Sequence, residues 1–326
     1  MRLSNDQIIT LQLTKGIGAA SINKICDAAL KLPTELDFDG LYDLIDSMIQ
    51  KRELVRVVLP EYDTFISNSQ KAKRLISQSK ALGISVVSRY DDNFPINLLA
   101  TVDETGKASV PILMYYKGDL SITQKPAIAI IGTREPNADG LTAGRFLAKS
   151  FAEKGFNIVS GLALGCDTSG HEGALLADNG VTTAFLAHGL DTIYPKENSL
   201  LAERIVSNGG LLMSEYPIGE KVNRYNLVAR DRLQAGLGDA TLVIQTGVQG
   251  GTMHAVRATK AAGKPVYVAK YKNSSEKSSG NELLAAQGAT WIDSKKVIDD
   301  IIEQLTNSKG DREDVPSITN EGTLFD

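Results

Sequence analysis

Residues 160–175, SGLALGCDTSGHEGAL, set the problem this chain poses. The stretch follows the apolar run Phe156–Val159 and reads onward into a helix, yet it carries Gly161, Gly165, Gly170 and Gly173. Glycine loses more conformational freedom on folding than any other residue, so a cluster of it has a use. Two uses fit: a corner where segments pack closely, or a cradle where phosphate approaches bare backbone. The cradle is the working expectation. A helix that starts at a strand end turns its first N–H groups toward an anion.

Outward from this stretch the chain alternates. Upstream lie the apolar run PAIAIIGTR and the helical GLTAGRFLAKSFAEKG; downstream come VTTAFLAHG, SLLAERIVSNGG, LLMSEYP, YNLVARDRLQAGLG, ATLVIQTG, GTMHAVRATKAAG and PVYVAKY. Apolar strands that alternate with helices mark a parallel sheet covered on both faces. The fold class expected is α/β, an extended Rossmann-like sheet preceded by a small all-helical domain. Residues 1–80 show helical spacing in DQIITLQL, AASINKICDAALKL and LYDLIDSMIQKRELVRVVL. We therefore divide the chain at 1–80, 81–306 and 307–326. The last segment is acidic, lacks periodicity and is expected to be disordered, and it ends in TLFD.

Ligands of open parallel sheets bind beyond the carboxyl ends of the strands. The residues there are Gly132-Thr133-Arg134, Ser160-Gly161, His188-Gly189-Leu190 and Gly247 to Thr252. GTREPNADG is neither the G-x-G-x-x-G dinucleotide fingerprint nor a G-K-[ST] phosphate loop. Near the N-terminus, Gly16-Ile17-Gly18 reads either as a plain corner or as a helix-hairpin-helix turn aimed at a nucleic-acid phosphate.

The motifs AIIGTREP, GFNIVSGLALGCDTSGHEGAL, HGLDTIYPKEN, GGLLMSEYP and RDRLQAGLGDATLVIQT follow one another in order and spacing. Together they resemble the DNA-processing protein A family, also called DprA or Smf. The resemblance covers roughly residues 8–300. It implies a protein that binds single-stranded DNA, forms homodimers and delivers the strand to a RecA-type recombinase, with no catalysis and no cofactor. By position it implies a phosphate clamp at Arg134, with Gly132 and Thr133 beside it. Ser160, Gly161 and Gly165 would offer amide donors, and Lys196, Arg230 and Arg232 further cations. Tyr194 and Tyr225 are the aromatics near these loops and the candidates for base stacking.

The chain departs from the family pattern in places. Asp231 stands where the family has Asn, Leu227-Val228 replaces Phe-Pro, and no winged-helix segment is legible. GVQGGTMHAV replaces the usual small-residue loop and is similar to the phosphate loop of the "lonely guy" nucleotide phosphoribohydrolases. It would cradle a phosphate at Gly250, Gly251 and Thr252, but Ala255 occupies the place of that family's essential Glu. The alternative function is thus a nucleotide-binding sensor or a phosphoribohydrolase-like protein.

Composition agrees with a globular chain: 42% hydrophobic, 23% charged, net charge −4. That balance argues against a protein that coats nucleic acid over its whole surface, yet eight Lys/Arg face two Asp between Lys221 and Lys270. The N-terminus MRLSNDQIITLQL has no signal-peptide pattern and no run reaches the ~18 residues of a membrane span, so a cytoplasmic protein is expected. Cys26 and Cys166 do not suggest a disulfide, nor do they and the three histidines show metal-ligand spacing. Asp167 is expected to cap the helix after Gly165, and His171 and His188 to be packed rather than catalytic.

Overall fold

The structure is a computed structural model and describes residues 2–313, residue 274 excepted, with side chains to residue 307. Four helices come first: α1 (Asn5–Leu13), α2 (Ala19–Leu30), α3 (Phe38–Gln50) and α4 (Tyr62–Ala81). Two strands follow, β1 (Ser85–Ser88) and β2 (Leu113–Gly118). Then the chain alternates through β3 (Ala127–Ile131), α5 (Ala138–Ala152), β4 (Asn157–Ser160), α6 (Cys166–Ala174) and β5 (Thr182–Leu186). It continues with α7 (Ser199–Ser207), β6 (Leu211–Ser214), α8 (Arg224–Leu237), β7 (Ala240–Val243) and α9 (Thr252–Ala261). The last elements are β8 (Val266–Ala269), α10 (Ser279–Ala286), β9 (Thr290–Ile292) and α11 (Lys295–Glu313).

The strands form one nine-stranded sheet in the order β1-β2-β6-β5-β4-β3-β7-β8-β9. From β6 to β9 every pairing is parallel, as the alternation requires. At the other edge β1–β2 and β2–β6 are antiparallel. The stretch between β1 and β2 holds no crossover helix, only a short 3₁₀ turn at Ile96–Ala100. Without a crossover the chain cannot return in the same direction, so it pairs antiparallel.

The strand residues are buried on both sides. In β3, Ile128 and Ile130 face a core shared with Phe151, Phe156 and Ile301, while Ala127 and Ala129 face Phe185, Leu233 and Leu237. That two-sided burial makes the run continuously apolar rather than alternating. The N-terminal helices share a third cluster with the sheet, in which Ile8, Ile25 and Phe65 join Ile84, Tyr115, Leu186 and Leu212. Helix α11 carries helical backbone into the stretch expected to be disordered, as far as Glu313. The remainder of that tail, with TLFD, lies outside the described residues.

Two features of this frame position the site. The sheet order reverses between β4-β3 and β7-β8, which opens a crevice beyond the carboxyl ends of β3 and β7. Helices α5 and α8 border that crevice and have side-chain N-caps. Asn137 Oδ1 accepts from the Gly140 amide at 2.8 Å, and Asn223 Oδ1 from the Asn226 amide at 2.9 Å. At the far end of α8, Lys264 Nζ donates to the carbonyls of Ala235, Gly236 and Gly238 at 2.6–2.9 Å. A cation there satisfies carbonyls the helix leaves open and opposes the dipole.

Candidate functional site

A cleft of about 440 Å³ occupies the crevice. Its walls are the strand ends Gly132-Thr133-Arg134 and Thr246-Gly247, the loop Gln249 to Thr252, and Arg230, Asp231 and Gln234 of α8. A second space of about 80 Å³ adjoins it and shares Arg134, Ala163 and Arg230. This annex adds Gly161, Leu164, Tyr194, Pro195 and Leu227. The two spaces adjoin, and Arg134 lines both.

The Arg134 loop is held by its neighbours. The Thr133 amide donates to the Gln245 carbonyl at 2.7 Å, and the Cys166 amide donates to the Thr133 carbonyl at 3.1 Å. Gln245 Oε1 accepts from the Asn137 amide at 2.9 Å. Gly132 is bare because Cys166 and the Gln245 carbonyl crowd it: a Cβ there would lie 2.7 Å from the Cys166 Cβ and 2.7 Å from that oxygen. The loop is thus pinned to β7 and α6, and the exposed Arg134 side chain projects from a fixed backbone.

The glycines of residues 160–175 have a different use from the one expected. The Gly161 and Ala163 amides both donate to Asp167 Oδ2, at 3.1 and 3.3 Å, so this loop offers no free cradle at those positions. A Cβ on Gly161 would overlap the Arg230 guanidinium, with Nη2 at 2.8 Å. Gly165 has φ +82°, and a Cβ there would meet the Arg134 carbonyl oxygen at 2.5 Å. Gly173 lets α6 approach α5; a Cβ would meet the Ala148 Cβ at 2.8 Å. Ser160 is fully buried and its hydroxyl donates to the Ile130 carbonyl at 2.7 Å. The cluster is a packing corner; Asp167 stands in the first turn of α6 but does not cap it as expected, since the N-cap Gly165 has no side-chain bond and the carboxylate turns back to the Gly161 and Ala163 amides.

The expected line of cations is also rearranged. Arg230 is 4% exposed, donates from Nη1 to the Phe185 carbonyl at 2.9 Å and pairs with Asp231 at 3.3 Å. Arg232 is held in a two-pronged pair with Glu215, both contacts 2.7 Å, and donates to Ser109. These arginines are engaged by the fold. Arg134, Lys196, Tyr194 and Tyr225 are exposed, and so are Gly250 and Gly251, with Thr252 half-buried beside them. Lys196 and Tyr225 line neither of the two spaces.

The interior of the cleft is acidic around one buried guanidinium. Burial pushes the Asp167 carboxyl above the usual carboxylate range, against the opposing charge of Arg230. Burial raises Asp231 to about 6, again against Arg230. Gln234 donates from Nε2 to Asp231 Oδ1 at 3.0 Å, while its own Oε1 is buried without a hydrogen-bond partner. Residue-by-residue reading of the sequence missed Gln234 and Gln249, since single amides in a helix and a loop carry no pattern. Ala255 does line the cleft, so the position of the hydrolase loop's Glu is inert here.

The other reactive side chains are packed. Burial raises the Cys166 thiol to about 12, which overrides the helix N-terminus, and lowers His171 to about 3. Among the described residues no cluster of three His, Cys, Asp or Glu could hold a metal, and no helix is long and apolar enough to cross a membrane.

Comparison with known proteins places this geometry. The chain is 42% identical over 149 residues to the Smf protein of Synechocystis, covering 44% of this chain and 37% of that one. It is 30% identical over 236 residues to the DNA processing protein DprA of Bacillus subtilis, covering 72% of this chain and 76% of that one. The chain thus spans about a third of the Synechocystis relative and three quarters of the Bacillus one. Its fold matches the crystal structure of DNA processing protein A from Streptococcus pneumoniae at a TM-score of 0.72 and 25% identity, over 91% of this chain and 97% of that one. It also matches DNA processing protein A from Helicobacter pylori, a structure that describes that protein's single-stranded-DNA binding mode, at 0.58 and 29% identity, over 69% and 96%. The sequence profile of DNA recombination-mediator protein A matches residues 85–306, and the chain belongs to that family.

Proposed function

We propose that the chain is a non-catalytic single-stranded-DNA-binding protein, cytoplasmic, acting as a homodimer that passes its strand to a RecA-type recombinase. One observation carries the DNA reading: Arg134, fixed at the end of β3, lines both parts of a two-part groove. One arm of that groove is bounded by the Gly250–Thr252 loop and the other by exposed Tyr194 and Leu164. Cation, open loop amides and aromatic or apolar surface are what a single strand requires: charge for the phosphates and a face for the bases. We assign phosphate contacts to Arg134, Lys196 and the Gly250–Thr252 loop, and stacking to Tyr194 with Tyr225 beyond it. Arg230, Asp167 and Gly161 support the groove rather than the strand.

The family relationship favours the same reading, and so does the relative from Helicobacter pylori described as binding single-stranded DNA. The test is a titration of fluorescent oligo(dT) against free nucleoside monophosphates at two salt concentrations. Salt-dependent binding of the oligonucleotide, with weaker binding of the mononucleotides, is the expected result. Tight mononucleotide binding with indifference to oligo(dT) would select the nucleotide-sensor alternative.

A further inference from the structure

The cleft is chemically divided, and that division bears on which base it accepts. Donors gather at its mouth: the Arg134 guanidinium and the loop Gly250–Thr252. Inside, the carboxylate of Asp231 and the amide of Gln234 stand beside the buried guanidinium of Arg230. Phosphate suits the mouth, where Arg134 is exposed; in the interior the Arg230 guanidinium is already engaged by the Phe185 carbonyl and Asp231. The interior suits a group that brings N–H donors. Its volume of about 440 Å³ lies within the ~300–1,000 Å³ span of small-molecule sites.

Two details sharpen this. Asp231 Oδ1 takes the contacts from Arg230 and Gln234, while Oδ2 accepts no hydrogen bond among the described residues. Gln234 is 2% exposed, and its Oε1 is buried without a partner although the residue lines the cleft. A buried acceptor left unpaired costs free energy that an incoming donor would recover. Guanine carries two adjacent donors on one edge, N1–H and the N2 amine. Thymine offers only N3–H, and adenine only its exocyclic amine.

Resting on the single-strand reading above, we infer that the cleft takes one unstacked nucleotide of the bound strand and prefers guanine, with Asp231 and Gln234 Oε1 reading its N1–H and N2 amine. The identity of residue 231 decides which edge is read. An amide there presents one donor and one acceptor, which suits adenine; a carboxylate presents acceptors only.

The experiment uses the full chain and oligo(dT) strands carrying isolated guanines, inosines or adenines. Inosine differs from guanine only by the N2 amine. Fluorescence anisotropy should show guanine strands binding roughly tenfold more tightly than inosine strands, the scale of one good edge pairing. In the variant Gln234→Met, which removes the acceptor for the N2 amine, the guanine-to-inosine ratio should fall to about one, while Asp231→Asn should weaken guanine and inosine strands together, because both bases carry N1–H. Thermal melts identify any variant that has lost its fold, and the wild-type ratio stands by itself. Equal affinity for all three strands, with oligo(dT) binding intact, overturns the inference and leaves the DNA reading standing. If oligo(dT) does not bind, the DNA reading fails, and calorimetry with GMP and IMP decides the base preference. Equal binding, or none, overturns it there too.

Discussion

Replacing Gly161 by alanine separates the two uses that a glycine-rich loop can have. A Cβ at this position overlaps the Arg230 guanidinium, so Arg230 must move or the loop must lift. The guanidinium is buried, donates to the Phe185 carbonyl at 2.9 Å and sits against Asp231 at 3.3 Å. Losing a charge-assisted hydrogen bond costs roughly 1.5–3 kcal/mol, and Asp231 and Asp167 would be left with a displaced counter-charge. We expect Gly161→Ala to destabilise the fold by about 2–4 kcal/mol, short of the 3–5 kcal/mol seen when one partner of a buried pair is deleted. With Arg230→Ala as background the obstruction is gone. Gly161 has no positive φ, so the same substitution there should cost nothing or stabilise slightly, by about 0.4–1 kcal/mol. The coupling between the two sites is thus about 2–5 kcal/mol, well above the ~0.3–0.5 kcal/mol within which independent sites add. Chemical denaturation followed by circular dichroism, on the wild type, both single variants and the double variant, measures it. If Gly161→Ala costs the same in both backgrounds, the packing explanation of this glycine is wrong. If it also weakens oligo(dT) binding at unchanged stability, the phosphate cradle was the right reading after all.

Three further outcomes are expected. Arg134→Ala should weaken oligo(dT) binding and lower the slope of log affinity against log salt by about 0.7, one phosphate contact, with an unchanged melt; an unchanged slope would show that Arg134 does not meet the strand. Asp231 has a folded value of about 6 against an ordinary 3.8, set by burial and opposed by Arg230, His254 and Arg134, with Asp167 adding to the rise. Between these values the native state holds a proton the unfolded chain has released, so this contribution to stability is full below 3.8 and is lost as pH rises through about 6. Asp231→Asn should flatten that part of the Tm–pH profile, and a profile identical to the wild type's would contradict the burial argument. Lys264→Met should cost about 2 kcal/mol in denaturation midpoint terms, because the carbonyls of Ala235, Gly236 and Gly238 lose their shared donor; no loss would mean that water replaces it without cost.

Sequence and tertiary structure contributed different things here. The alternation of apolar runs with helical segments determined the parallel sheet, because a strand buried on both faces must be apolar throughout and a parallel return needs a crossover helix. It also placed Arg134 and the Gly250–Thr252 loop at strand ends, where the crevice of an open sheet must lie. Those are consequences of local pattern, and they are legible one residue at a time. Which arginine faces solvent was decided by folding alone. Arg134, Arg230 and Arg232 are alike in sequence, but Glu215 is seventeen residues from Arg232 and Phe185 is forty-five from Arg230. Only the packed sheet brings those acceptors within reach, and a buried guanidinium is held in place by such acceptors. The glycines follow the same rule. Their number in residues 160–175 announced a close approach, and the neighbour that came close to Gly161, a side chain from α8, was set by the path of the chain in three dimensions.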